Sequence, residues 1–493
     1  MSQKQKIDDE MLEDVLLLKN EQPHEIPENW VWTRVSNFIE MERGITFPAS
    51  AKKNEFEDGL IGCARTANIQ EEFVWDDLIY VNKAYTKGNE RKLVQENDIL
   101  MSIANSYNLV GKISFIKEVK ENITFGGFLL CIRSKNFNVN FIFYYFRYLF
   151  LSGKIQQIAS QTTNIANISA KKIQALPIPI PPVPEQKRIA EKVERLLGKI
   201  DEAKRLIDEA KETLELRRAA ILDKAFRGEL TKKWREENLN VENVDSIFNK
   251  IKDDQSIKRK IIKPIEEDEI NSILPSNWKW VRLGDVFKIT SGGTPKRAVS
   301  KYYDGHIPWV KTGEIKWNTI YDTAEHITVE AISNSSAKLL PKDSVLVAMY
   351  GQGLTRGRAA ILATETTCNQ AVCALLPNEF ILPKYLFYYF MEGYQRFREI
   401  AKGGNQENLS ATLISNFIFP FPPLEEQRAI VEILDTIFNN EDKSTDLIDE
   451  RLKNDELRAS VLAIAFRGEL GTNDSSEESA MELLKSMVQQ QVK

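Results

Sequence analysis

The sequence predicts an α+β protein made by internal duplication. Two tandem mixed α/β domains are each followed by a long α-helix, and the two helices are expected to pair as an antiparallel coiled coil. Three observations carry that prediction. Six motifs recur in order through the 493 residues at nearly one spacing. Each half ends in a proline-rich stretch. After each stretch, apolar residues return at alternating three- and four-residue steps, the pattern of a helix with one paired face.

The repeats set the architecture. Pro27-Glu-Asn-Trp30 returns as Pro275-Ser-Asn-Trp278, and Asp58-Gly-Leu-Ile61 as Asp304-Gly-His-Ile307. Phe143-Tyr-Tyr-Phe146 returns as Phe387-Tyr-Tyr-Phe390, and Asn164, Asn167 and Ser169 match Asn405, Asn408 and Ser410. Pro181-Pro182 with Glu185-Gln186 matches Pro422-Pro423 with Glu426-Gln427. Ala225-Phe-Arg-Gly-Glu-Leu230 recurs letter for letter as Ala465-Phe-Arg-Gly-Glu-Leu470. A repeat of half the chain is far too long for a solenoid and describes a domain plus an accessory element.

Within each half, alternating runs predict strands at Asp98–Ile103 and Lys112–Ile116, then at Leu339–Met349 and Ala359–Ala363. The aromatic runs 141–150 and 385–394 predict buried helices. Pro177–Pro184 and Pro420–Pro423 predict stiff extended hinges, because proline continues neither a helix nor a central strand. Long helices follow from Glu185 and from Glu426, whose carboxylates suit a helix start. The doubled hexapeptide reads as a helix C-terminus with a glycine cap. Along the first helix the pairing residues are Ile189, Val193, Leu196, Ile200, Ile207 and Leu214, with Ala203 and Ala210 on the same seam. Along the second they are Ile430, Ile437, Leu457 and Val461, around a polar middle at Asn440 and Ser444. The expected segments are 1–180 (first domain, with an N-terminal helical extension), 181–230 (first helix region), 231–270 (charged linker), 271–420 (second domain), 421–471 (second helix region) and 472–493 (C-terminal tail).

Composition excludes several function classes. The chain is 42% hydrophobic and 28% charged, with no apolar run long enough to span a membrane and no secretory signal pattern, so a cytoplasmic protein is expected. Four cysteines lack CxxC spacing and three histidines lack HxxxH spacing, which speaks against a disulfide framework, a zinc ribbon, a metal hydrolase or a histidine triad. No P-loop, no dinucleotide fingerprint and no amino-methyltransferase motif is found. No catalytic residue, metal site or cofactor site is therefore assigned. The net charge of −5 argues against indiscriminate coating of nucleic acid but permits local basic patches.

Those patches carry the binding chemistry. In the second half Lys296, Arg297, Lys301 and Lys311 lie among Tyr302, Tyr303, Trp309 and Trp317. Beside them Ser291, Gly292, Gly293 and Thr294 would let backbone approach a partner closely. Thr312, Tyr350, Gln352 and Arg356 complete that candidate set. In the first half the set is Thr46, Lys52, Lys53, Arg65, Lys83, Lys87 and Arg91. Cations at these positions suit phosphates, an Arg can fork onto guanine, and a Gln can pair an adenine edge. The bland reading, solvated charges and core aromatics, is the better one for any single residue and for Trp30 and Trp278 in particular. The recurrence of a cation at Arg65 and Lys311 favours binding for the loops as groups.

Taken together, Gly292-Gly-Thr-Pro295, Ile307-Pro-Trp-Val-Lys-Thr312, the duplicated Pro-Pro…Glu-Gln element and the doubled hexapeptide resemble the DNA specificity subunit of type I restriction–modification systems. The first half departs from the pattern, with Gly44-Ile-Thr-Phe-Pro48 in place of Gly-Gly-Thr-Pro. The resemblance implies two target-recognition domains reading two half-sites of double-stranded DNA, held apart by the paired helices. It also implies methyltransferase (modification) subunits docked on the helices and motor-nuclease (restriction) subunits beyond them. S-adenosylmethionine, ATP and magnesium would then reside on those partners, and no membrane is involved. Two rival readings are a self-sufficient DNA methyltransferase or nuclease with unrecognised motifs, and a coiled-coil scaffold that does not bind DNA.

Overall fold

The computed structural model describes residues 12, 15–135, 137–162, 165–253, 262–270, 272–351, 354–402, 408–451 and 454–491. Asn164, Asn405 and Gln352 lie outside them. The chain divides into two units, Met1–Ile207 with Asp449–Lys493, and Asp208–Ile448. The division runs through both long helices, so each unit holds one domain, the start of that domain's own helix and the end of the other.

In the first unit an antiparallel sheet of four strands runs Ile39–Arg43, Leu129–Ser134, Ile99–Ser102, Ile113–Phe115. A second sheet has Leu60–Ala64 at its centre, antiparallel to Ile79–Asn82 and parallel to Ile123–Phe125. The predicted strands at 98–103 and 112–116 are thus present, trimmed at both ends. The aromatic run forms the helix Val139–Leu151, in which Phe141, Ile142, Tyr145, Phe146 and Leu149 are buried. The second unit repeats the plan. Its five-stranded sheet runs Ile289–Ser291, Val372–Leu375, Val345–Ala348, Ala359–Leu362, Asn318–Ile320, under the helix Pro383–Glu392. Its second sheet centres on Ile307–Val310, antiparallel to His326–Ile327 and parallel to Thr367–Cys368.

The proline stretches are extended, as expected, but they are paired strands and not hinges, and Pro184 lies inside the first long helix. Pro177–Ile180 pairs antiparallel with Val31–Arg34, and Ile418–Phe421 with Lys279–Arg282. Pro177 and Pro179 stand two residues apart, so both missing N–H groups fall on the unpaired edge of a two-stranded ladder, where proline is tolerated. Buried tyrosines secure these strands. The Tyr145 hydroxyl donates to the Pro177 carbonyl, Tyr385 to that of Pro420 at 3.0 Å, and Tyr389 to that of Ile418 at 2.7 Å.

The first long helix is Val183–Phe226; the second is formed by Leu424–Arg451 and Asn454–Phe466. The buried seam differs from the predicted one. In the first unit Ile189, Val193 and Leu197 join Leu462, Ala465 and Phe466 in one core. In the second, Leu222, Ala225 and Phe226 share a core with Ile430, Leu434 and Phe438. Of the predicted pairing residues, Leu196, Ile200, Ile207, Leu214, Ile437 and Val461 are half-buried, Ala210 is exposed, and Leu457 is 43% exposed. The physical reason is that charged residues take inward positions. Buried Glu441 accepts from Arg218 at 2.9 Å while Arg218 also reaches Asp442, and buried Arg458 donates to Asp201 and Glu71. Asn440 and Ser444, the expected polar middle, face solvent instead. Asp201 and Asp442 are repeat equivalents, as are Arg218 and Arg458, so the duplication has produced the same interhelical ion pair once in each unit.

This register has a measurable consequence. Leu462→Ala should cost about 2–5 kcal/mol, because it empties a fully buried position. Leu457→Ala, five residues back and about 140° away around the helix, should stay within about 0.5 kcal/mol. Chemical denaturation of both variants checks it. A larger loss for Leu457→Ala would restore the predicted seam.

Candidate nucleic-acid interface

The repeated motifs sort into two kinds once folded. One kind builds joints. In the first unit Glu185, fully buried in the opening turn of its helix, accepts from Trp30 Nε1 at 2.7 Å, Asn473 Nδ2 at 3.0 Å and Thr472 Oγ1 at 3.1 Å. In the second, buried Glu426 accepts from Arg235 and Thr231 at 2.5 and 2.7 Å and from Asn277 at 3.2 Å. The neighbouring Gln186 and Gln427 bond back to the Pro181 and Pro422 carbonyls. The hexapeptide ends its helix at each joint. Gly468 and Gly228 have φ of +77° and +73°, and a Cβ there would fall within about 2.5 Å of Pro27 and Pro275. Three motifs therefore meet at each joint, two from one half and the hexapeptide from the other.

The other kind builds exposed loops on the second sheets. In both domains the central strand runs into a cation, a 3₁₀ turn, a carboxylate and then the returning strand. In the first domain Leu60–Ala64 leads to Arg65, whose backbone N–H is held by Asn68 Oδ1 at 2.7 Å and whose guanidinium meets Asp77 at 2.8 Å. In the second, Ile307–Val310 leads to Lys311, whose backbone N–H is held by Glu314 at 2.8 Å and whose ammonium meets Glu325. Arg297 reaches the same Glu325 at 2.6 Å and lies over Tyr303 and Trp309, 4.3 and 4.9 Å from their ring centres. Hydrogen bonds from Lys311 and Arg297 hold the Glu325 carboxyl below the ordinary carboxylate range. Trp309 is buried and donates to the Gly293 carbonyl at 3.0 Å, so the shelf under Arg297 is rigid.

The remaining candidates divide by partner. Lys301 pairs with Glu330 at 2.6 Å, Arg91 with Glu40 at 2.6 Å, and Lys53 with Glu57 at 3.4 Å. Lys52, Lys83, Lys87 and Lys296 are exposed and, among the described residues, in no ion pair. Thr46 and Tyr350 are exposed, and Thr312 is half-buried. Thr294 bonds Gln370, and Tyr302 packs against the Trp309 cluster. Arg356 is a correction: only 7% exposed, it sits inside the domain and does not present to a ligand. Gly292 and Gly293 are a second correction. Added Cβ atoms would lie 2.1 Å from the Cys368 carbonyl and 2.3 Å from Ala337, so these glycines serve close approach within the protein. Gly44 makes the same approach to the Gly126 carbonyl, so the divergent first-half motif keeps the role of the second. Trp30 and Trp278 are core residues, in line with the bland reading.

The cations are legible in the sequence, but Asp77, Glu325 and Glu330 are not, because they stand 12, 14 and 29 residues from Arg65, Lys311 and Lys301, the cations they meet. Half-exposed ion pairs of this kind contribute about 0–1 kcal/mol each, so an incoming phosphate can displace the carboxylate.

Comparison with known proteins decides the family. The type I restriction modification DNA specificity domain matches residues 27–212 and again 275–453. The chain belongs to the type I restriction–modification DNA specificity family. Recognition of a DNA sequence for such a system is its function, and the domain matches once in each half of the duplication. The chain is 26% identical over 456 residues to the type I restriction enzyme StySPI specificity subunit of Salmonella potsdam, covering 90% of each. It is 27% identical over 463 residues to the EcoKI specificity subunit of Escherichia coli strain K12, again covering 90% of each. The fold is that of the HsdS subunit from Thermoanaerobacter tengcongensis, at a TM-score of 0.52 and 19% identity over 91% of this chain and all of that one. A structure described for complex assembly and conformational transition of the type I R-M system gives a TM-score of 0.64 over the same shares, also at 19% identity.

Proposed function

We propose that each domain of this specificity subunit reads one half of a bipartite DNA target through the loops around Arg65 and Lys311. In this reading the two long helices pair as an antiparallel coiled coil and hold the readers apart. Contacts inside each unit support it: in the first Asp201 meets Arg458 while Ile189 shares a core with Phe466, and in the second Arg218 meets Asp442 while Phe226 shares a core with Ile430, so rising numbers on one helix meet falling numbers on the other. Exposed Lys52, Lys83, Lys87 and Lys296 take phosphates, and Arg297 and Lys311 face base edges. Modification subunits bring S-adenosylmethionine, and restriction subunits bring ATP and magnesium, in the cytoplasm where the DNA lies. The chain itself contributes recognition and no catalysis.

The observation that carries the reading is the doubled cation–turn–carboxylate loop, built at the same place in both domains. Reconstitution tests it. The purified chain should neither transfer methyl groups nor hydrolyse ATP, and adding its modification subunits should give methylation at one two-part motif. Turnover by the chain alone would overturn the non-catalytic assignment and favour the self-sufficient enzyme.

A further inference from the structure

Three cations of the second domain are already neutralised before any DNA arrives, and two of them share one carboxylate. Lys311 and Arg297 both bond Glu325, whose backbone carbonyl separately accepts the Trp309 N–H at 3.0 Å. Arg297 has little freedom left, with the rings of Tyr303 and Trp309 beneath it and the carboxylate at its edge. The first domain repeats one part of this construction, a cation after the central strand bonded to an acid before the returning strand: Arg65 meets Asp77 at 2.8 Å. In both, the acid lies between the 3₁₀ turn and the strand that returns antiparallel to the centre of the sheet. A surface pair of this exposure adds little to folding stability. Its recurrence at one topological position therefore calls for a reason other than stability.

We propose that Glu325 is a positioning residue for DNA discrimination, and that Asp77 is its counterpart in the first domain. This rests on the functional reading above. Two physical effects follow from a carboxylate at this place. It fixes the direction of the Arg297 fork and the Lys311 ammonium, and recognition of a base edge depends on geometry of that kind. It also cancels charge that would otherwise grip any backbone phosphate, and so lowers affinity for every wrong sequence. A base edge can be read while the carboxylate stays in place, whereas a phosphate has to displace it. Glu325 acts through the two cations and need not touch DNA itself.

The test uses the specificity subunit assembled with its modification subunits. The duplexes are the motif found by mapping methylated bases in the host, and a scrambled version of it. Binding of Glu325→Gln and Glu325→Asp complexes is measured against salt concentration. For Glu325→Gln, affinity for the scrambled duplex should rise about tenfold and the salt dependence should steepen by about one ion, because a cation is released to phosphate. The ratio of motif to scrambled affinity should fall about tenfold, and Glu325→Asp should restore most of it. Equal loss on both duplexes at an unchanged salt slope would overturn the proposal, since it would mark Glu325 as merely structural. So would wild-type discrimination in Glu325→Gln. Asp77→Asn should relax only the other half of the motif; relaxation of both halves by either variant also counts against the proposal. If the wild-type complex bound neither duplex, the functional reading itself would fail, which is a separate result.

Discussion

Replacing Phe466 by alanine should destabilise the first unit by about 3–5 kcal/mol, the usual cost of emptying a fully buried aromatic site. Phe466 closes the second long helix and lies among three rings of the aromatic helix, with centroids 5.3 Å from Phe141, 5.0 Å from Tyr145 and 5.6 Å from Tyr148. Its carbonyl is 3.1 Å from His24 Nε2. The site cannot collapse readily, because the glycine two residues on is packed against Pro27. Phe226 does the same work in the second unit, 5.1 Å from Tyr385. Chemical denaturation followed by tryptophan fluorescence measures the loss. A cost below about 1 kcal/mol would show that the hexapeptide is not a structural plug.

Glu426→Leu should cost a similar 3–5 kcal/mol, for a different reason. Its carboxylate has no exposure, and it satisfies Arg235, Thr231 and Asn277 together. Removing it leaves a guanidinium, whose side chain is only 18% exposed, without its counter-charge. The equivalent Glu185 receives only neutral donors. Glu185→Gln keeps an acceptor in place and should therefore cost less, about 1–3 kcal/mol. Thermal and chemical unfolding of the two variants gives the comparison. A loss below about 1 kcal/mol for Glu426→Leu would mean that the charge on Arg235 is solvated after all.

The duplication was legible because motif order and spacing survive in the sequence, and so were the aromatic helices and the helix ends. Which residues the motifs touch was not legible. Glu185-Gln186 reads as a helix start, and only the fold shows that Glu185 also receives Trp30 from the beginning of the domain and Asn473 from the far end of the chain. The helix seam shifted because Arg458 and Glu441 are charged and still buried. A heptad scan scores such residues as solvent-facing, and their partners Asp201, Glu71 and Arg218 are distant in sequence. The interface cations were legible by residue type alone, but the burial of Arg356 was not. A basic residue in a glycine-rich loop reads as exposed until the domain is seen to enclose it.

Whether each domain reads its own half of the target is tested most directly by replacing residues 50–175 with the same region of another specificity subunit and mapping the methylated bases of a host that carries the complete system. One half of the methylated motif should change, while the other half and the gap between them stay as before. A chimera that methylates actively but alters both halves, or neither, would contradict it.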